Sequence, residues 1–368
     1  MKVGIIGLPS CGKTAVFNAL TGGHAEVRAF SGAAHAEPNM GVVPVPDVRL
    51  DWLAELYKPK KTTPATVEVV DVAGMVPGQS QKEGFSPQLI AHLRQVDALV
   101  HVVRAFTDPS VPHASGSVEP LRDGELVELE LILADLAVVD KRLDKFDNEI
   151  QRKKGAERTQ AEAERDLLVR LKEELTNERP LRGLPLTEEE SGLIKGYTFL
   201  SQKPLLLVAN IDEAEIEKAD TPTIEKLKPF AEHKSAPLLA FCAKTEMEIA
   251  QLDEAERGEF LSMLGIQETS RDKLVRAAYQ LLDVIPFFTA GEDECKAWTI
   301  TRGTIAQEAA RKIHSDIARG FIRAEVVAFD ALKECGNKHV AKEKGVLHLH
   351  GKEYVVHDGD VIEFRFAV

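Results

Sequence analysis

The segment that most limits what this chain can fold into is Gly7-Leu8-Pro9-Ser10-Cys11-Gly12-Lys13-Thr14, of the form G-x-x-x-x-G-K-[ST]. Apolar Val3 to Ile6 precede it as a short buried strand, and Ala15 to Leu20 follow in helical spacing. A strand feeding a glycine-rich turn that opens a helix aims several backbone N–H groups at one point. The helix dipole also favours an anion there. In that arrangement Lys13 reaches the β and γ phosphates of a nucleotide, and the Thr14 hydroxyl sits on Mg²⁺. Gly7, Ser10, Cys11, Gly12 and Ala15 are the expected remainder of the phosphate cradle.

The second half of such a site is expected at Val67 to Val70, an apolar strand ending in Asp71-Val72-Ala73-Gly74. Asp71 is placed to hold Mg²⁺ through water, and the Gly74 N–H to bond the γ-phosphate. The next residue, where switch GTPases carry a water-orienting Gln, is Met75. A thioether cannot hold a water for in-line attack, so hydrolysis is expected to be slow or to use another residue. The Gly-, Ala- and Ser-rich residues 21–40 and the run from Pro77 to Ser86 are expected as two flexible switches. Residues 39–47 read as an extended strand bounded by prolines, and Asp51 to Tyr57 as a short helix ended by basic residues 58–61.

Further apolar strands are expected at Asp97–Phe106, Pro204–Ala209 and Pro237–Phe241. Strands alternating with helices make a mostly parallel sheet with ligands at its carboxyl ends. Those ends carry Asn210-Ile211-Asp212-Glu213 and Cys242-Ala243-Lys244. Between two of the strands, Leu129, Ile132, Leu136, Val139, Leu143, Phe146 and Ile150 recur at 3-4 spacing, a heptad seam. After the polar break 151–155, Leu168, Leu171 and Leu175 resume it, so the insert reads as two antiparallel helices. At 1.5 Å per residue such an arm is on the order of 40 Å long. Its tip is basic, with Arg152, Lys153, Lys154 and Arg158, either a solvated turn or a probe for an anionic partner.

A helix is expected over 271–283, closing on Val284 to Phe288. A different pattern then begins, strand-like at 297–301, helical at 304–314 and alternating at 325–329, with short strands at 354–356 and 361–366. This predicts a small α+β module of β-grasp type. Its His348, His350 and His357 lack trustworthy ligand spacing. The expected domains are a nucleotide-binding domain at 1–125 and 200–283, a helical arm at 126–199 and the C-terminal module at 284–368.

The net charge is −13, but residues 286–368 carry 12 Lys and Arg against 13 Asp and Glu. The acidic bulk argues against non-specific coating of nucleic acid, and the near-neutral C-terminal part is the better match to RNA. No run of about 18 apolar residues exists and no signal peptide is expected, so membrane insertion is not predicted. Four cysteines, at 11, 242, 295 and 335, show no metal or disulfide spacing and fit a reducing cytosol.

On these residues the chain resembles the YchF / Obg-like ATPase family of translation-factor-class P-loop NTPases over nearly its whole length. The most specific pieces are Glu37-Pro38-Asn39-Met40-Gly41-Val42-Val43-Pro44-Val45-Pro46-Asp47, residues 71–76, the helical insert, and Gly291 to Ile300 with Gly320 to Val326. The last two are similar to the family's TGS domain. The resemblance implies an OBG-type domain that prefers ATP. GTPases read guanine with N-K-x-D, and here Ile211 and Glu213 replace the Lys and the Asp. The longer carboxylate enters guanine's space, while Asn210 and the Ile211 backbone can serve adenine, with Cys242 and Ala243 on the other side of the base. Met75 matches the family's hydrophobic replacement of the catalytic Gln. The family's alternative is a His before its G-S-V-D/E-P motif, here His113 before Gly116-Ser117-Val118-Glu119-Pro120.

Two positions depart from the family pattern. Ser10 stands where an Asn associated with potassium binding is usual, which counts against potassium stimulation. His35 stands where the family has a Thr that can ligate Mg²⁺, and an imidazole suits that hard cation poorly. Cys11 adds a small, oxidisable side chain inside the loop. The implied whole is a cytoplasmic, monomeric ATPase that binds ATP and ADP with Mg²⁺. It acts as a slow nucleotide-dependent switch on the ribosome, by family resemblance the large subunit, or on another RNA–protein partner. A GTPase of the same fold and a nucleotide-binding scaffold without turnover are the alternatives.

Overall fold

Ala98–Arg104 is buried at all seven positions and Leu205–Asn210 at all six, as strands covered on both faces must be. They belong to the first of two compact units in the computed structural model, which describes residues 1–23, 38–72, 85–113, 115–216, 221–252, 254–263 and 268–367. One unit is Met1–Gly41 with Glu68–Leu274, and the other is Val42–Val67 with Val275–Val368.

In chain order the strands are β1 (Lys2–Ile6), β2 (Asn39–Pro44), β3 (Lys61–Thr63), β4 (Thr66–Asp71), β5 (Ala98–Arg104), β6 (Leu205–Asn210) and β7 (Leu238–Phe241), then β8 (Val284–Ala290), β9 (Glu294–Thr301), β10 (Phe321–Ala328), β11 (His348–His350) and β12 (Asp360–Phe366). The helices needed below are α1 (Lys13–Thr21), α2 (Val48–Tyr57), α3 (Pro87–Arg94), α4 (Pro120–Ile150) and α5 (Ala156–Thr176).

The first sheet has the order β2-β4-β1-β5-β6-β7. β1 pairs in parallel with both β4 and β5, and the run continues in parallel through β6 to β7. The strand order reverses at β1, so a crevice opens at its carboxyl end, and the phosphate-type loop leaves the sheet there.

The predicted heptad seam forms. Ile132, Val139, Phe146 and Ile150 of α4 pack with Ala161, Leu168, Leu171 and Leu175 of α5. The early turns of the same α4 are rooted in the core of the first sheet, where Val127 and Leu131 join Ile6, Leu99 and Leu205. The root is also polar. Asp135, fully buried, accepts from the Leu200 and Ser201 amides at 2.9 and 2.7 Å. Burial pushes its carboxyl upward, and those two amides oppose the shift. Arg182 pairs with Glu128 at 2.7 Å with both side chains sealed from solvent.

His101 lies on β5 beside this cluster, 1 % exposed, and its Nδ1 has no partner among the described residues. Burial, then the Arg182 and Lys13 charges, lower its pKa from 6.5 to about 3. The folded value lies below the unfolded one. The folded state is therefore unpenalised above pH 6.5 and loses stability as pH falls towards 3, at about 1.4 kcal/mol per pH unit. Between pH 7.5 and 5 the chain should lose about 2 kcal/mol more than His101→Leu in urea titrations. Equal losses would remove this group from the pH response.

The second unit has the sheet β11-β10-β12-β8-β9-β3. β8 and β12 are parallel neighbours at its centre, flanked by the antiparallel partners β9 and β10. The helix Ala306–Ile313 lays Ala306, Ala309 and Ala310 against Phe287, Ile300, Ala324 and Ile362. This is the β-grasp arrangement predicted. Three local expectations are corrected. Residues 284–288 do not close a helix, because that helix ends at Leu281 and β8 starts at Val284. Its first five residues are all buried, so no alternation betrayed a strand. The strand expected at 354–356 reduces to one bridge, Val355 with Ile305. The basic stretch after α2 contributes β3, which pairs in parallel with β9. Among the described residues no helix is long and apolar enough to cross a membrane.

Candidate functional site

The loop from Gly7 to Thr14 depends on two glycines for steric reasons. Gly7 has φ +152°, and a Cβ there would stand 2.3 Å from the Val102 carbonyl oxygen and 2.7 Å from Cys11 Sγ. Gly12 has φ +97°, and a Cβ would meet Asn210 Nδ2 at 2.2 Å. Ser10 sits at φ +60°, left-handed backbone that Asn adopts more readily than Ser. Cys11 is buried, and burial pushes its thiol upward, which makes it a packing group rather than a reactive thiolate.

α1 opens at Gly12 with no side-chain cap and no acidic residue in its first turn. Its orphan amides, those of Lys13, Thr14 and Ala15 before the first intrahelical bond from Val16 to the Gly12 carbonyl, and the positive end of its dipole are thereby available to an anion. Lys13 folds back over the loop, Nζ donating to the carbonyls of Gly7 at 3.0 Å and Leu8 at 2.8 Å. An ammonium has three donors, so one remains for a phosphate oxygen. The Thr14 hydroxyl donates to Asp71 Oδ2 at 2.8 Å, joining the ends of the loop and of β4. Asn39 Nδ2 reaches the same oxygen at 3.5 Å.

On the other side of the loop Asn210 acts as a strut. Its Nδ2 donates to the Cys11 carbonyl at 3.0 Å and its Oδ1 accepts from the Ala243 amide at 3.1 Å. Ile211 is buried, with its N–H bonded to the Phe241 carbonyl at 3.0 Å. Glu213 is exposed, and its two oxygens accept from Lys244 Nζ at 2.9 Å and Thr245 Oγ1 at 3.4 Å. Cys242 Sγ is 3.3 Å from the same Thr245 hydroxyl. Asp212 accepts from the amide and hydroxyl of Thr107, both at 3.0 Å. The structure thus gathers Gly7, Ser10, Cys11, Gly12, Lys13, Thr14, Ala15, Asp71, Asn210, Ile211, Glu213, Cys242 and Ala243 around the carboxyl ends of β1, β4, β6 and β7.

His113 is held at the start of α4. Its Nε2 lies 2.8 Å from Asp123 Oδ2 and its Nδ1 accepts from the Ser115 amide at 3.0 Å. Gly74, Met75 and His35 lie outside the described residues, as do most of both expected switches. Sequence reasoning missed Lys244 and Thr245 as partners of Glu213, and missed Asp123 altogether. The Cys242-Ala243-Lys244 string carried a signal for the first two, while nothing in the ten-residue spacing marks Asp123.

A family model described as a 50S ribosome-binding GTPase matches residues 2–154. A second, YchF-GTPase_C, described as a protein of unknown function (DUF933), matches residues 284–367. The "Ribosome-binding ATPase YchF" of Bacillus subtilis is 45% identical over 369 residues, covering 100% of both chains. The "Obg-like ATPase 1" of Caenorhabditis elegans is 38% identical, over 100% of this chain and 92% of the relative. Among solved structures, the Schizosaccharomyces pombe YchF GTPase superposes with a TM-score of 0.88 at 30% identity, over 99% of this chain and 97% of that one.

Proposed function

The chain belongs to the YchF family of ribosome-binding ATPases, and from that membership we propose a switch that binds and slowly hydrolyses ATP, prefers it to GTP, and acts on the ribosome. The observation that carries this reading is the linked set Lys13, Thr14 and Asp71 on one side of the loop and Asn210, Ala243 and Glu213 on the other. The first group suits a triphosphate. The second suits a base, and its Glu213 stands where guanine readers carry Asp.

Mg²⁺ fits the donor set, because the Thr14 hydroxyl is a hard oxygen ligand and the Asp71 carboxylate, 2.8 Å from it, can hold the ion through water. A bound Mg²⁺ would neutralise phosphate charge, with the other ligands coming from phosphate and water. His113 takes the place of the missing Gln, accepting a hydrogen bond from the attacking water. The arm (126–199) and the TGS domain (284–368) are the partner-binding modules, and the large ribosomal subunit is the partner. The protein works in the cytoplasm as a monomer without a potassium requirement.

Calorimetric titration tests the base preference. ATP should bind at least about tenfold more tightly than GTP, the scale of one charged hydrogen bond. Restoring the guanine reader with Ile211→Lys and Glu213→Asp together should bring GTP level with ATP or past it. Equal affinities in the unaltered chain would sink the adenine reading and leave the GTPase one, which the names of the fission-yeast relative and the N-terminal family model favour.

A further inference from the structure

The ring of His113 is fully committed. Its side chain is 6 % exposed and that of Asp123 is 3 % exposed, with Nε2 and Oδ2 2.8 Å apart. Nδ1 accepts from the Ser115 amide, so the ring proton sits on Nε2 and is donated to Asp123. A histidine that orients water needs an unshared nitrogen lone pair. The single one on this neutral ring is occupied, so in this arrangement His113 cannot serve the attacking water.

Asp123 is itself braced. Arg122 grips its other oxygen through Nε at 3.0 Å and Nη2 at 2.8 Å. The same guanidinium holds the loop before α4 through the Ser117 carbonyl at 2.7 Å and the Ser117 hydroxyl at 3.0 Å. One helix therefore carries the clasp on both His113 and Ser117. Seven residues on, and so on the same face of α4, Glu130 accepts from the Phe85 amide at 3.2 Å.

We propose that Asp123 is a positioning residue that holds His113 in reserve, and that displacement of α4 releases the ring to the attacking water. The proposal rests on the water-orienting role given to His113 above, and makes the arm's own root helix the regulator of turnover. A partner that shifts α4 would raise hydrolysis by opening this clasp, without adding a residue to the site.

The test is steady-state ATP hydrolysis by the full-length protein. Asp123→Ala should raise kcat about tenfold with KM unchanged, a modest share of what a positioned histidine contributes. Asp123→Asn, whose amide oxygen still accepts from Nε2–H, should show less than a third of that rise. Adding His113→Ala to Asp123→Ala should cancel it. Arg122→Ala, which loosens the carboxylate without removing it, should give a smaller rise of the same kind and decides the matter if Asp123→Ala does not fold. A folded Asp123→Ala, or in its absence Arg122→Ala, with kcat at or below the unaltered level overturns the reserve role. A rise that survives loss of His113 overturns instead the assignment of His113 to the water.

Discussion

Lys13→Ala is expected to lower ATP hydrolysis by at least about a hundredfold, the range seen when a single electrostatic stabiliser of a transferring group is removed. The lysine has two duties in the structure. Its bonds to the Gly7 and Leu8 carbonyls draw the loop into a cradle and leave its third donor for a phosphate oxygen. Alanine removes both the brace and the charge, so ATP binding should weaken along with turnover. Weakening should be greater for ATP than for ADP, because the ammonium contacts the β and γ groups together. Single-turnover phosphate release at saturating ATP, with ADP and ATP titrations beside it, separates the two losses. Phosphate release equal to that of the unaltered chain would mean this site does not turn nucleotide over, leaving a binding scaffold.

The largest effect on stability is expected at the root of the arm. Arg182 and Glu128 are 4 % and 1 % exposed, and Arg182 Nη2 and Glu128 Oε2 have no partner among the described residues. Arg182 Nε does bond the Lys203 carbonyl at 3.1 Å. Arg182→Met leaves a carboxylate buried without its cation, at a cost of about 3–5 kcal/mol. Replacing both partners, Glu128→Leu with Arg182→Met, should recover most of that loss, since an apolar pair of similar volume avoids desolvating two ions. Differential scanning calorimetry should place the single variant roughly 10 °C below the unaltered chain. A double variant no better than the single one would show that the charges are not the reason. Because Glu128 lies on α4, the single variant should also loosen the arm where it joins the nucleotide domain.

The features legible in the sequence were those whose cause is local. Gly7 and Gly12 are dictated by backbone that admits no side chain, and Lys13 and Thr14 follow at fixed positions on the helix that begins there. The arm was legible because its packing repeats with the helix itself, every third or fourth residue of one face meeting α5. What escaped lies at long separation or against local appearance. Glu128 and Arg182 are 54 residues apart, and neither carries a mark of its partner. Glu213 and Lys244 are 31 apart, brought together only when β6 and β7 pair in parallel. β8 was hidden because it is apolar throughout its buried part and contains Pro286, so it looks like the frayed end of the helix before it. β3 has three residues, two of them exposed, and owes its strand character wholly to the neighbour it joins.

The unbroken length of α4 has a mechanical consequence. Its 31 residues run from the core under the nucleotide site to the end of the arm, roughly 46 Å of continuous helix with no proline beyond its first residue. Such a rod behaves as a lever whose fulcrum is the packing around Val127 and Leu131. A tilt of about 10° at the root, the scale of ordinary rigid-body switching, swings the roughly 32 Å of helix beyond that fulcrum and carries the far end through about 6 Å. Motion of an ångström or two beside the phosphates is thereby amplified to something a bulky neighbour can sense, and a push on the basic tip is returned to the site with the same gain in force.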